Sequence, residues 1–319
     1  MIRLRQTVWL GVLPGLLAPL AFAQEKPPER SFSAGDSASY RIKLTVRSEL
    51  AGQRPESIGA KTYVRPFSRA VENELSWTAA RRVLAVNADG TAEIEESLGD
   101  FASVADTSAS ADEETARLAK VLREALASWG APRALRYRET RSGHLLELKA
   151  DGAPLLGEAS PALLTLWLLR ALRPTVALPV RLGEPWQGPR TAQLPNWAEV
   201  RGAENGEWLA AREASEPAVR LHMVQQLSGI VVSGTEKPPE GTAQGRFHGE
   251  SLNTVSLGNA RLLAATRSAM REIIWTLAPI EGLPERPQFS GRLAVQVQIE
   301  ACNGDPCLST EPPAGRSRQ

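Results

Sequence analysis

Strict alternation of apolar and polar residues near both ends of the chain most limits what it can fold into. Between Tyr40 and Val46 every second residue is apolar, and Arg, Lys or Thr fills the positions between them. The segment from Leu293 to Ile299 repeats this period of two. Successive side chains of a strand point to opposite faces. The pattern therefore predicts half-buried antiparallel strands over residues 39–50 and 292–301.

Similar patterns predict that strands dominate the whole chain. Asp89-Gly90 suits a tight hairpin turn, because glycine readily adopts positive φ. Gly52–Pro55 and Asn205-Gly206 are predicted to be turns as well. Residues 261–277 leave two alternatives open, because their apolar spacing fits a helix and their position after Gly258-Asn259 also fits a strand. The other predicted strands span residues 57–64, 70–86, 91–96, 133–140, 143–150, 190–201, 206–213, 217–228 and 243–257.

Two segments carry helical patterns. Asp112 to Trp129 has one apolar stripe and a capping residue at its start, which is typical of a helix packed on a core. Ser160 to Leu172 is apolar on nearly all sides. A helix of that length spans about 18 Å, too short for a bilayer core of about 30 Å, so it is predicted to be buried. This helix could be part of an ordinary core, or it could line an apolar pocket. The candidate pocket residues are Leu163, Leu166, Trp167 and Leu169.

These elements predict a mainly β (α+β) fold. We expect a curved antiparallel sheet or half-barrel, with two or more helices packed on its concave face. Residues 35–307 would form one β-rich domain, or two halves that meet near residues 174–188. A flexible lead (24–34) would precede the domain, and a disordered tail (308–319) would follow it.

The first 23 residues predict export. Arg3 and Arg5 form a basic start, an apolar stretch follows, and Ala21-Phe22-Ala23 supplies the small residues that signal peptidase requires. Cleavage is predicted between Ala23 and Gln24. Because residue 24 is not cysteine, no thiol is available there for lipid attachment. The mature protein is therefore expected to be soluble in the periplasm or secreted, with no later segment that could span a membrane.

The charge balance bears on the class of partner. The chain has 37 basic and 36 acidic residues, and removal of Arg3 and Arg5 with the leader changes the net charge from +1 to about −1. Nucleic-acid binding favours a strong basic excess, so no nucleic-acid partner is expected. The sequence does not indicate an oligomeric state.

The two cysteines, Cys302 and Cys307, flank Asn303-Gly304-Asp305-Pro306. This composition favours a tight reversal, which brings the two Cα atoms within reach of each other. In an oxidising compartment the spacing predicts a structural disulfide. A redox pair would favour Cys-x-x-Cys, and a zinc site would need four ligands.

No motif for catalysis or cofactor binding is present. His144, His222 and His248 are widely spaced and form no His-x-x-x-His pair. The chain has no Gly-x-Ser-x-Gly elbow and no phosphate-binding glycine loop. We therefore predict no catalytic residue, no metal ligand and no cofactor. An exported hydrolase is the least favoured function.

Two segments carry a resemblance. Leu178 to Trp186 and Val255 to Ala265 resemble stretches of uncharacterised exported bacterial proteins in the half-barrel class that includes periplasmic lipoprotein carriers. The resemblance covers residues 170–300 and, loosely, 35–100. It implies a curved antiparallel sheet around a helix, a lipid-like ligand and a strand over residues 261–277. The expected function is a non-enzymatic envelope protein that binds an apolar ligand or an envelope protein. The alternative is a structural or interaction module with a packed core.

Overall fold

The computed structural model describes residues 31–58, 61–106, 134–141, 145–150, 153–154, 185–191, 197–213, 216–232, 241–256, 261–280, 283 and 286–302. Strands make up most of this part of the chain. In chain order they are β1 (Ser37–Ile58), β2 (Lys61–Val86), β3 (Ala92–Asp106), β4 (Ala134–Glu139), β5 (Leu145–Ala150), β6 (Ala153–Pro154), β7 (Pro185–Thr191), β8 (Trp197–Glu213), β9 (Glu216–Val231), β10 (Gly241–Ser256), β11 (Leu262–Leu277) and β12 (Gln288–Cys302).

All twelve strands belong to one antiparallel sheet, in the order β6-β5-β4-β3-β2-β1-β12-β11-β10-β9-β8-β7. Each strand pairs with its neighbour in sequence, except that β1 pairs with β12 and β6 does not pair with β7. Tyr40 lies opposite Ala301 and Val46 lies opposite Val295. The first and last strands therefore meet in the middle of the sheet, and two consecutive strands form its edges.

The predicted α+β class is wrong. The described residues form strands, turns and irregular segments and contain no helix, so this part of the protein is all-β. They therefore show no helices packed on a concave face. The segments 112–129 and 160–172, for which helices were predicted, lie outside the described residues. Within those residues there is also no helix with the length and hydropathy of a membrane span.

One face of the sheet, the inner face, holds the core. Tyr40, Ile42, Leu44 and Val46 project onto it from β1 and are at most 2% exposed. Apolar side chains from β2, β3, β4, β8, β9, β10, β11 and β12 join them in one continuous cluster. The outer face instead carries exposed ion pairs such as Lys43–Glu74, at 2.8 Å. The predicted alternation in β1 thus separates a buried apolar face from a charged solvent face.

Several predicted elements are confirmed. β11 is a strand over Leu262–Leu277, as the resemblance implied. Gly90 has φ 79° and forms the tight turn between β2 and β3, and Asp89 Oδ1 accepts hydrogen bonds from the backbone N–H and the hydroxyl of Thr91. β4 and β5 form a hairpin where 133–140 and 143–150 were predicted.

Two predicted turns are wrong, because their glycines lie in the middle of long strands. β1 continues through Gly52 and Pro55 as far as Ile58, and β8 continues through Gly206. Beyond Gly52, β1 has only β2 as a paired neighbour, so the missing N–H of Pro55 can face the unpaired side. At Gly206, an added Cβ would lie 2.7 Å from Cζ2 of Trp186, so the glycine makes room for an indole ring.

Another indole ring on the inner face lies over two paired glycines. Gly229 of β9 and Gly245 of β10 are directly paired, and together they form a shallow trough. The indole of Trp197 lies on Gly245 and also contacts the Gly229 position. The guanidinium carbon of Arg271 lies 4.9 Å from its ring centroid, within cation–π range. Trp197 therefore reaches from β8 across β9 and β10 to β11 and anchors the second apolar cluster.

Candidate functional site

A recess lies at the end of the apolar core where β1 begins. It has a volume of about 150 Å³. Its lining combines apolar floor residues with charged and hydroxyl groups: Ser31, Phe32, Asp36, Ser37, Ala38, Tyr40, Arg81, Val83, Arg261 and Leu262. Tyr40, Val83 and Leu262 are buried, whereas Ser31, Asp36 and Ser37 are exposed. The recess is therefore amphipathic, with an apolar floor and a polar rim.

A short turn builds the rim. The backbone N–H of Asp36 donates to the carbonyl of Ser33, and the N–H of Ser33 donates back to Asp36 Oδ2. Gly35, with φ 89°, provides the left-handed residue that the turn needs. Two backbone hydrogen bonds, Gly35 N–H to Val83 O and Val83 N–H to Asp36 O, attach the turn to β2. The rim is thus fixed to the strand that carries Arg81.

Sheet register places a buried charge cluster behind the recess. Ala38, Arg81 and Glu96 follow one another across β1, β2 and β3 on the inner face. Ala38 is small, which leaves open space beside the Arg81 side chain. Arg81 Nη2 donates to Glu139 Oε2 at 2.6 Å, and the Arg81 guanidinium lies 5.7 Å from the ring centroid of Tyr137. One cation therefore lies among two acids on neighbouring strands.

Glu96 is the acid of this cluster whose hydrogen bonding is incomplete. It is 1% exposed, and its Oε2 accepts a hydrogen bond of 3.4 Å from the Tyr137 hydroxyl. Its Oε1 has no hydrogen-bond partner among the described residues. Burial raises the pKa of Glu96 to about 7, although Arg81 and Tyr137 act to lower it. Burial alone lowers the pKa of Arg81, but Tyr137 and Glu139 raise it more, so Arg81 stays protonated.

A second buried ion pair lies on the inner face, away from the recess. Arg190 of β7 pairs with Glu204 of β8, and the two side chains are 5% and 0% exposed. Gln225 Nε2 donates to Glu204 Oε2 at 2.6 Å. Burial lowers the pKa of Arg190 to about 10. This pair is not among the residues that line the recess.

The recess can hold a polar group by charge and hydrogen bonding. Arg81 and Arg261 supply guanidinium donors, and Ser31, Ser37 and Tyr40 carry hydroxyls. Its described lining includes no histidine or cysteine that would act as a base or nucleophile. Across the described part of the chain, no three His, Cys, Asp or Glu side chains are grouped to hold a metal ion. The described lining therefore offers charged, hydroxyl and apolar groups to a ligand.

Most of the site residues predicted from the sequence lie outside the described residues. The pocket candidates Leu163, Leu166, Trp167 and Leu169 lie outside the described residues, as do Ala23 and Gln24. Cys302, at the end of β12, is not a free cysteine, but its expected partner Cys307 lies outside the described residues. The disulfide between them therefore stays a prediction.

Sequence reasoning missed Arg81, Glu96 and Glu139. Their signal was a charge at an apolar position of the alternation. Arg81 has the parity of Ala79 and Val83 in β2, and Glu96 has the parity of Ile94 in β3. A charged residue at a position where the alternation calls for an apolar one points its side chain into the core, where it needs a partner.

Comparison with known proteins adds little. No family model matches the chain, and no curated protein matches it. Among solved structures, an outer-membrane channel from Pseudomonas putida F1 aligns over 88% of this chain and 100% of its own, at 10% identity and a TM-score of 0.18. The InvG secretin domain β-barrel from Salmonella aligns over 87% and 64% of the two chains, at 12% identity and a TM-score of 0.14. These scores are too low to support a shared fold or function.

Proposed function

We propose that this protein is an exported, non-enzymatic binding protein that takes a small amphiphilic ligand at the recess beside Arg81. The observation that carries the proposal is the amphipathic lining, in which Tyr40, Val83 and Leu262 form the floor and Arg81 and Arg261 lie among the polar residues. Ligand sites are typically concave and mostly apolar, with a few placed polar groups. The leader pattern of residues 1–23 supports placement in the envelope or outside the cell.

The recess limits the ligand. Drug-sized sites are about 300–1,000 Å³, whereas this recess has about 150 Å³. It therefore suits one end of a ligand: a polar group with a few methylenes attached. The described core beneath it is closely packed, with Tyr40, Ile42 and Leu44 each at most 1% exposed. A whole acyl chain would need space beyond these residues.

The test fills the recess. Ala38→Phe places a ring in the space beside Arg81, while Ala80→Phe places the same ring on the exposed face of β2. Native mass spectrometry of the purified protein would identify co-purifying molecules, and calorimetry would measure binding of octanamide and octanoate. We expect Ala38→Phe to abolish binding and Ala80→Phe to leave it within about twofold. Equal binding by both variants would refute the site.

The alternative, an interaction module with a packed core, gives a different result. It predicts that neither probe binds to the unmodified protein and that no small molecule co-purifies. Ala38→Phe would then stabilise the fold by adding buried apolar area without loss of a ligand site.

A further inference from the structure

We propose that the recess binds the anionic end group of its ligand, a carboxylate or a phosphate, next to Arg81, and that Glu96 takes up one proton as the ligand binds. This rests on the proposed binding function and adds the ligand class and a dependence on protons. It follows from three features: the two arginines of the recess, the two acids behind Arg81 and the incomplete hydrogen bonding of Glu96.

Two arginines in the recess favour a ligand with an anionic group. Arg81 and Arg261 are the two arginines of the recess lining, and Asp36 lies on its exposed rim. A guanidinium presents planar, paired donors that match a carboxylate or phosphate. A neutral ligand would gain less from these two cations than an anion would. A cationic ligand would meet both guanidinium groups.

Two acids behind Arg81 set the charge that an incoming anion would meet. With Glu96 and Glu139 both ionised, the buried cluster of Arg81 and these two acids carries a net charge of −1. Glu139 is 0% exposed and bonded to Arg81, so it is the acid that the guanidinium neutralises directly. An incoming anion would add a second negative charge next to these buried acids. Uncompensated charge among buried groups is strongly unfavourable.

Glu96 is the group that takes up the proton. Charged and titratable groups face Glu96 from two strands, Arg81 from β2 and Tyr137 and Glu139 from β4. Tyr40 of β1 acts on Arg81. Of the two acids, Glu96 holds only a 3.4 Å hydrogen bond and has one oxygen with no partner among the described residues. Protonation of Glu96 removes its charge and returns the cluster with its bound anion to −1. Arg81 then interacts with two anions, Glu139 and the ligand.

The experiment measures calorimetric dissociation constants for octanoate and octanamide between pH 6 and pH 8. For the unmodified protein we expect octanoate to bind about five- to tenfold more weakly at pH 8 than at pH 6, because one proton must be acquired. Octanamide has the same chain without a charge, so its affinity should not change with pH. Titration in buffers of different ionisation heats counts the protons directly.

Two variants separate the contributions. Glu96→Gln should bind octanoate with less than about twofold change over the same pH range. Glu95→Gln is the matched control, because Glu95 lies on the outer face of the same strand and pairs with Arg136. It should keep the full pH dependence. Arg261→Gln should weaken octanoate about five- to tenfold and leave octanamide unchanged.

Different binding results would overturn the anionic ligand, the proposed function or the role of Glu96. Binding of octanamide without octanoate would overturn the anionic ligand but keep the proposed function. Absence of binding by either probe would overturn the proposed function itself. Octanoate binding whose pH dependence survives in Glu96→Gln would overturn the role of Glu96 and keep the anion site.

Discussion

Replacement of Gly245 by alanine tests the packing of Trp197 directly. A Cβ at residue 245 would overlap ring atoms Cη2, Cζ3 and Cζ2 of the indole. The ring cannot tilt away freely, because it also lies against Gly229 and under Arg271. Overpacking of this kind costs about 1–3 kcal/mol. For a domain of this size, each kcal/mol lowers the melting temperature by about 2–4 °C.

A double-mutant cycle isolates the ring as the cause. Trp197→Ala alone should cost about 3–5 kcal/mol, because it empties a buried aromatic site. In that background, Gly245→Ala should cost less than about 0.5 kcal/mol, which gives a coupling energy of at least about 0.5 kcal/mol. Free energies of unfolding would come from urea titration. Gly99→Ala is the control, since its Cβ would meet only Thr78 Oγ1, at 3.3 Å. An equal cost of Gly245→Ala in both backgrounds would refute the reasoning.

Three further predictions concern buried charge and the cysteines. The pKa of Glu96 is about 7 when folded, above its ordinary 4.5, so the folded state holds more protons between these values. Urea stability should therefore fall as pH rises from about 4.5 to 7, and Glu96→Gln should lose that slope; an unchanged slope would assign it to another group. Glu204→Ala should cost about 3–5 kcal/mol by leaving Arg190 buried without its acid, whereas Arg190→Met with Glu204→Leu should cost little in the same titration. Reduction of the predicted Cys302–Cys307 disulfide should cost about 2 kcal/mol and add two mass units, and thiol labelling of the unreduced protein would contradict it.

The sequence was sufficient for the strands whose pattern is local. The alternation from Tyr40 to Val46 specifies a buried and a charged face without reference to any other element, and the sheet follows it. Asp89-Gly90 likewise carries its own turn chemistry. These features depend on neighbouring residues only, so they were predicted from the chain alone.

The turns predicted at two glycines were wrong because the role of these glycines depends on residues distant in sequence. Gly52 and Gly206 have the composition of turns, yet each lies under a ring from a paired strand, Phe289 or Trp186. Only the register between strands shows that an aromatic ring from a neighbouring strand packs against such a glycine. The recess depended on register as well, because Ala38, Arg81 and Glu96 come together only across β1, β2 and β3.

The strand order has a kinetic consequence. Except for the pairing of β1 with β12, strands pair with their neighbours in sequence, so β1–β6 and β7–β12 can each assemble from strands that follow one another in the chain. The exception joins β1 to β12, for example Tyr40 to Ala301, and it requires the chain to close nearly end to end. Loop-closure entropy makes this step the slow one, because folding rates fall as contacts become more distant in sequence. A circular permutant opened between β6 and β7 would turn the sheet into a sequential meander and remove that closure from the folding path.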